Sequence, residues 1–177
     1  MSIPTASYAI DPSHSEVAFT IRHAGIAKVR GRFTEFSGTI VVADDLAASS
    51  VNVTIAASSV DTGNAQRDGH LTSSDFFSVE TTPERTFVST GVSGTADEFV
   101  LSGDLTINGI TKPVSLETEF NGAAVDAYGV ARVGFSASTE ISREEFGITW
   151  NAPLEAGGLL LGDKVKIAIE ISATKQD

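Results

Sequence analysis

The 177-residue chain has no cysteine. Disulfides, thiolate metal sites and cysteine nucleophiles are therefore excluded. Basic residues are scarce: Lys and Arg number 12 against 23 Asp and Glu, a formal net charge of −11. A surface of that sign repels phosphate backbones, so nucleic acid is not an expected partner. No run approaches the roughly 18 consecutive apolar residues of a membrane-spanning helix; Leu159-Leu160-Leu161 is far too short. Stable membrane insertion is not expected. The start, Met1 to Tyr8, lacks the basic and apolar regions of a secretory signal, which gives a cytoplasmic expectation. Catalytic signatures are missing too: there is no Gly-x-Ser-x-Gly elbow, no phosphate loop and no His-Glu-x-x-His. Aromatic hydroxyls and indoles are few, with 2 Tyr and 1 Trp beside 10 Phe.

What is present is a period of two. Val17, Phe19, Ile21 and His23 alternate with Ala18, Thr20 and Arg22. The same alternation recurs at Val51–Ala57, Phe99–Ile107, Val114–Phe120, Val133–Ile141 and Val165–Ile171. One apolar face per strand means a sheet with one hidden side. Two less regular strands bring the total to eight. One runs from Arg32 to Val42, where Phe33 and Phe36 differ in parity, so a bulge at Thr34–Ser37 is expected. The other is a short strand at Thr86–Thr90. Asn108-Gly109 marks a tight hairpin, and Asn121-Gly122 with Tyr128-Gly129 bracket another reversal. Eight antiparallel strands joined by hairpins remove their exposed edges by closing. The expected architecture is all-β: an eight-stranded antiparallel up-and-down barrel forming one domain over residues 1–177, with a two-sheet sandwich as the structural alternative. No repeat or interdomain linker interrupts it.

Two connectors are long. The one spanning residues 58–84 carries a short helical segment at Asn64–Leu71, with Thr62 as N-cap candidate. The other runs from Ser142 to Asp163. Loops of that length and apolarity serve as lids or packed caps, and the aromatics Phe76, Phe77, Phe146 and Trp150 fall within them. The three histidines, His14, His23 and His70, match no metal-ligand spacing, so no metal site is expected. Arg67-Asp68 and Arg143-Glu144-Glu145 are ordinarily loop-ordering ion pairs; their functional alternative is an arginine at the barrel mouth holding a polar head group. Asn52-Val53-Thr54 fits a glycosylation sequon but lies within a strand and is discounted.

Several segments, taken in order, form a recognisable set. They begin with Tyr8-Ala9-Ile10-Asp11-Pro12-Ser13-His14-Ser15 and Arg22-His23, then Val29-Arg30-Gly31-Arg32-Phe33 and Ser59-Val60-Asp61-Thr62-Gly63-Asn64. Arg67-Asp68, His70-Leu71, Asp75-Phe76-Phe77 and Pro83 follow. Gly103-Asp104-Leu105-Thr106-Ile107-Asn108-Gly109-Ile110-Thr111-Lys112-Pro113, Arg143, Phe146-Gly147-Ile148 and Leu161-Gly162-Asp163-Lys164 complete the set. Together, over Tyr8 to about Ile171, they resemble the YceI-like family, whose members are taken to bind polyisoprenoids; this is a resemblance of order and spacing. It implies a lipocalin-like barrel that holds a long isoprenoid or related lipid as carrier, store or sensor, and it implies a non-enzyme. Dimers occur among the members, so a homodimer is left open. Two departures stand out: Glu145 replaces the family's Asp, and the signal peptide of many members is absent.

The expectations are then specific. No cofactor is expected; a bound lipid is, as a hydrophobic small-molecule partner. Its tail would lie along Val17, Phe19, Ile21, Phe33, Phe36, Phe87, Leu105, Phe135 and Ile169, with Phe76, Phe77, Phe146 and Trp150 at the mouth. His23, Arg67, His70 and Arg143 are the head-group candidates. An interaction module with a filled barrel is the alternative. An isoprenoid-modifying enzyme is weaker still and would rest on His23 and Glu140.

Overall fold

The computed structural model describes residues 2–154 and 158–177. Eleven strand segments follow the chain: β1 (Ala6–Ile10), β2 (Glu16–His23), β3 (Ala27–Phe33), β4 (Phe36–Val42), β5 (Ser50–Ala56), β6 (Val60–Asp61), β7 (Glu84–Gly94), β8 (Glu98–Ile107), β9 (Ile110–Val125), β10 (Ala131–Ser142) and β11 (Leu161–Lys175). Among the described residues a single α-helix, α1 (Ala65–Leu71), lies between β6 and β7.

The eleven segments occupy eight positions. β1 and β2 are halves of one strand, interrupted by a 3-10 turn at Pro12–His14. Likewise β3 continues into β4 across Thr34 and Glu35, and β5 into β6 across the turn at Ala57–Ser59. The ladders follow this: β1 pairs with β4 and β2 with β3, while β4 pairs with β5 and β3 with β6. From β7 to β11 each strand pairs with its sequence neighbour. β11 then closes the ring, meeting β1 at Tyr8↔Lys175 and β2 at Val17↔Ile169. All pairings are antiparallel, and the result is the expected eight-stranded barrel, closed on itself as the sequence pattern requires.

Several details differ from the sequence expectation, each for a local reason. Phe33 and Phe36 do both face inward and are buried, but a two-residue break between β3 and β4 resolves their parity instead of a ladder bulge. The strand expected at Thr86–Thr90 has 11 residues, Glu84–Gly94, and absorbs a register shift between Ser89 and Gly91. Asn121-Gly122 does not reverse the chain. It is a bulge inside β9, opposite Gly134/Phe135, and the reversal comes later, where Asp126 accepts from the amides of Tyr128 and Val130. The helix cap is Asn64, not Thr62: the Asn64 side chain accepts from Arg67 N. Asn108 and Gly109 form the expected two-residue hairpin between paired Ile107 and Ile110, with φ of 53° and 77°, the left-handed pair that a type I′ turn requires.

A meander alternates direction, so the position of each connection follows from counting strands. The β2–β3 hairpin, the β6–β7 connector with α1, the Asn108-Gly109 turn and the β10–β11 connector all fall at one end. That end is the mouth. The β4–β5, β7–β8 and β9–β10 connections fall at the opposite end.

Candidate functional site

The barrel encloses a cavity of about 380 Å³, within the roughly 300–1,000 Å³ of small-molecule sites. Its wall runs from Ile3, Val42 and Leu46 near the far end to Trp150 and Leu160 near the mouth. Inward residues of a barrel packed solid by its own side chains would be fully buried. On β11 the inward Val165, Ile167, Ile169 and Ile171 are only half-buried, while Lys166, Ala168 and Glu170 face solvent outright. The inner side chains keep exposed surface because what they face is empty. The filled interior of the interaction-module alternative is not what the barrel contains.

Two glycines help to keep it empty. Gly31 is paired with Phe19 across β2–β3, and the Phe19 ring lies over it where a Cβ would stand. Gly103 receives the Phe87 ring in the same way. Each ring rests against the wall on a neighbouring backbone instead of projecting into the lumen. Aromatic rings also pack on one another along the wall. Phe33 packs between Phe19 and Phe77, with centroids 5.7 and 6.0 Å apart, and Phe135 packs between Phe99 and Phe120 at 6.3 and 5.5 Å.

The nine apolar residues expected along a tail, Val17, Phe19, Ile21, Phe33, Phe36, Phe87, Leu105, Phe135 and Ile169, and the four expected at the mouth, Phe76, Phe77, Phe146 and Trp150, all line this cavity. His23, Arg67, His70 and Arg143 reach it as well, all at the mouth, but they are not alike. Arg67 orders the start of the helix, its Nε and Nη2 donating to the Thr62 hydroxyl and carbonyl at 2.7 Å. His70 stands edge-on to Phe76 and Trp150, with centroids 5.0 and 4.9 Å away, and its Nε2 meets Asp75 at 2.8 Å. The ring contacts with Trp150 join the two long connectors over the opening. Arg143 is buried and clamps the β10–β11 connector, donating to the carbonyls of Gly162, Ile148 and Trp150 at 2.8–2.9 Å. Glu145 is exposed, and the Arg143 guanidinium turns to these carbonyls. Glu140 also points outward from β10, beside the inward Thr139, so it does not join His23 in a catalytic cluster. His14 sits away from the mouth, with Nδ1 2.7 Å from Asp11. Among the described residues no three His, Cys, Asp or Glu side chains are grouped to hold a metal, and no helix is long and apolar enough to cross a membrane.

A charged lining residue escaped the sequence reading. Arg85, the second residue of β7, is 7% exposed and lines the cavity. Its guanidinium lies 3.7 Å from the Phe77 ring centroid and 5.2 Å from that of Phe33. Its Nε and Nη2 are buried without a hydrogen-bond partner. Burial pushes its pKa down to about 9, so it still carries its charge at neutral pH. The available signal was parity: Phe87 faces inward, hence so does the residue two before it.

At the far end Arg132 donates to Asp126 through Nε at 2.7 Å and to Asp11 through Nη1 at 2.8 Å. These bonds hold both carboxyls below the usual carboxylate range.

A model of the YceI-like domain matches residues 8–173. Among curated proteins, the chain is similar to Protein YceI of Escherichia coli O157:H7, 43% identical over 150 residues, covering 83% of this chain and 78% of that protein. Among solved structures, BcnA of Burkholderia cenocepacia superposes with a TM-score of 0.81 at 22% identity, over 93% of this chain and 99% of that one. A domain from Saccharophagus degradans described as polyisoprenoid binding superposes with a TM-score of 0.73 at 17% identity, over 97% and 100%. Likeness at these identities speaks for the shared barrel.

Proposed function

The chain belongs to the YceI-like domain family, and on that premise we propose that its barrel binds a long isoprenoid or related lipid and serves as its carrier. The observation that carries this reading is the unfilled cavity, whose inward side chains remain half-exposed around about 380 Å³ of space. Each methylene moved from water onto such a wall contributes up to about 0.8 kcal/mol. A tail of many carbons therefore reaches high affinity even after the cost of immobilising it. The description of the Saccharophagus degradans domain as polyisoprenoid binding points the same way. The mouth is spanned by the His70–Phe76–Trp150 contact. Loading and release would open this contact and leave the strands unchanged.

The test is native mass spectrometry of protein purified from its own host, with identification of the extracted lipid. Phe19→Asp is the informative variant, because Phe19 is half-buried against the void, whereas Phe135 is packed between two other rings. A folded Phe19→Asp protein is expected to carry less than about a tenth of the parental lipid, a loss of about 1.4 kcal/mol or more. Equal loading of parent and variant would remove Phe19 from the binding surface. Parent protein that neither retains lipid nor binds an added prenyl alcohol would overturn the reading.

A further inference from the structure

Five cationic or imidazole side chains line the mouth half of the cavity, and four have their polar groups engaged to some degree or stand at its rim. Arg67 is committed to Thr62, His70 to Asp75, and Arg143 to three carbonyls; His23 is half-buried at the end of β2. Arg85 is different. Among the described residues it makes no hydrogen bond and no ion pair, although it is one of the more deeply buried side chains of the wall. Its guanidinium lies instead over the face of Phe77, with Phe33 further off. A cation over a ring offsets only a small part of the cost of taking an unpaired charge out of water.

A buried guanidinium without an acceptor is an incomplete site. Its fork of donors matches the oxygens of a carboxylate or phosphate. Its location suits such a group: Arg85 is the second residue of β7, at the mouth end, and the next inward residue on the same strand is Phe87, which leads to the apolar remainder of the wall. We infer that the lipid held by this barrel is an acidic amphiphile, and that Arg85 is the residue that binds its anionic head group. This rests on the lipid-binding reading above and narrows it from any isoprenoid to one ending in a carboxylate or phosphate. An alcohol or quinone head would leave the Arg85 charge uncompensated.

Three probes with one tail separate the alternatives: geranylgeraniol, geranylgeranoic acid and geranylgeranyl phosphate, each titrated by competition against a bound fluorescent fatty probe. In the parent protein at least one acid is expected to bind about ten- to a hundredfold tighter than the alcohol, the ratio of one charge-assisted hydrogen bond. The stronger of the two acids identifies the anion. Arg85→Met should abolish the preference, bringing the affinities for the acids down to that for the alcohol. The ligand-free Arg85→Met protein should also melt several degrees above the parent, because a buried charge without a partner has been replaced by an apolar chain. Arg85→Gln is the second variant should the methionine form not fold. Equal affinity of the parent for all three probes, or a preference that persists in both variants, overturns the role of Arg85 while leaving a lipid-binding barrel. A melting temperature that falls in both variants overturns it too, by making the cation part of the packing. Failure of all three probes to bind refutes instead the lipid-binding reading on which the inference stands.

Discussion

At the scale of single residues, the emptiness of the barrel depends on what is missing from two positions. Gly31 and Gly103 both point inward, and each lacks the Cβ that would collide with a phenylalanine ring of the neighbouring strand. At Gly103 a Cβ would overlap the Phe87 ring and come within 2.7 Å of the Val88 carbonyl. Gly103→Ala must therefore swing the ring into the lumen and shift backbone. Overpacking of this kind destabilises by about 1–3 kcal/mol. Denaturant unfolding should show that loss, and lipid affinity should fall as the ring occupies tail space. Gly91→Ala is the control, since no atom lies within 4 Å of the position its new methyl would take; it should be neutral or stabilise by a few tenths of a kcal/mol up to about 1. A loss at Gly91 equal to that at Gly103 would show that glycine flexibility, not ring support, is what matters. The inward parity of Gly103 was legible in its strand, between Leu101 and Leu105. Its partnership with Phe87 was not, because register between strands is set by tertiary pairing. Arg85 was missed for a related reason: a charged residue at a strand's edge ordinarily faces water, and only extending the alternation back past Thr86 places it inside.

At the scale of elements, the two connectors are what distinguish the mouth from the far end, and each is held by side chains that reach backbone. Asn108 donates to the carbonyl of Phe76 at 2.5 Å and so ties the β8–β9 turn to the β6–β7 connector. Asn151 accepts from Leu161 N and donates to Leu161 O, both at 2.9 Å, extending pairing beyond the start of β11. Arg143 is the central clamp, with three backbone acceptors. Its replacement by Met leaves those acceptors without donors in a dry setting, where each costs about 1–3 kcal/mol. Arg143→Met is expected to lose about 3 kcal/mol of stability, with amide exchange accelerating at Ile148 and Leu160, which bond within this connector. Arg143→Lys, a compact ammonium in place of a planar fork, should recover only part of it. Unchanged exchange at those amides would mean that the connector is held by its apolar contacts alone. These segments were legible as lids because their aromatics lie outside regular strands. That Arg143 faces carbonyls and not Glu145 was not legible, since side-chain partners within a loop depend on where the loop folds back.

At the scale of the whole molecule, the eight-strand count was readable because each strand keeps one apolar face around an interior that must stay dry. Closure was less readable. The strand that completes the ring begins at Ala6, and its Tyr8-Ala9-Ile10 stretch is too short for its period to stand out. Yet Tyr8 is almost fully buried and donates to the Pro4 carbonyl at 2.7 Å, and the seam of β1 with β11 depends on this stretch. Arg132 fastens the same end, joining Asp11 beyond β1 to Asp126 in the β9–β10 turn. Hydrogen bonding to Arg132 is the leading cause that holds both carboxyls below their ordinary values. The folded chain therefore binds fewer protons than the unfolded chain as pH drops below the ordinary carboxylate pKa of about 3.9. The stability these pairs contribute is fully present above about pH 5 and declines as pH falls toward their lowered values. Arg132→Met removes most of that contribution at neutral pH and has little left to lose in acid. The gap between the melting temperatures of the two proteins, followed from about pH 7 to pH 3, should accordingly begin to narrow below about pH 5, with the parent falling more steeply. A gap that keeps its neutral-pH size throughout that range would mean that Asp11 and Asp126 titrate alike in the folded and unfolded chains, and that the barrel is closed at this end by the β1–β11 ladder without help from charge.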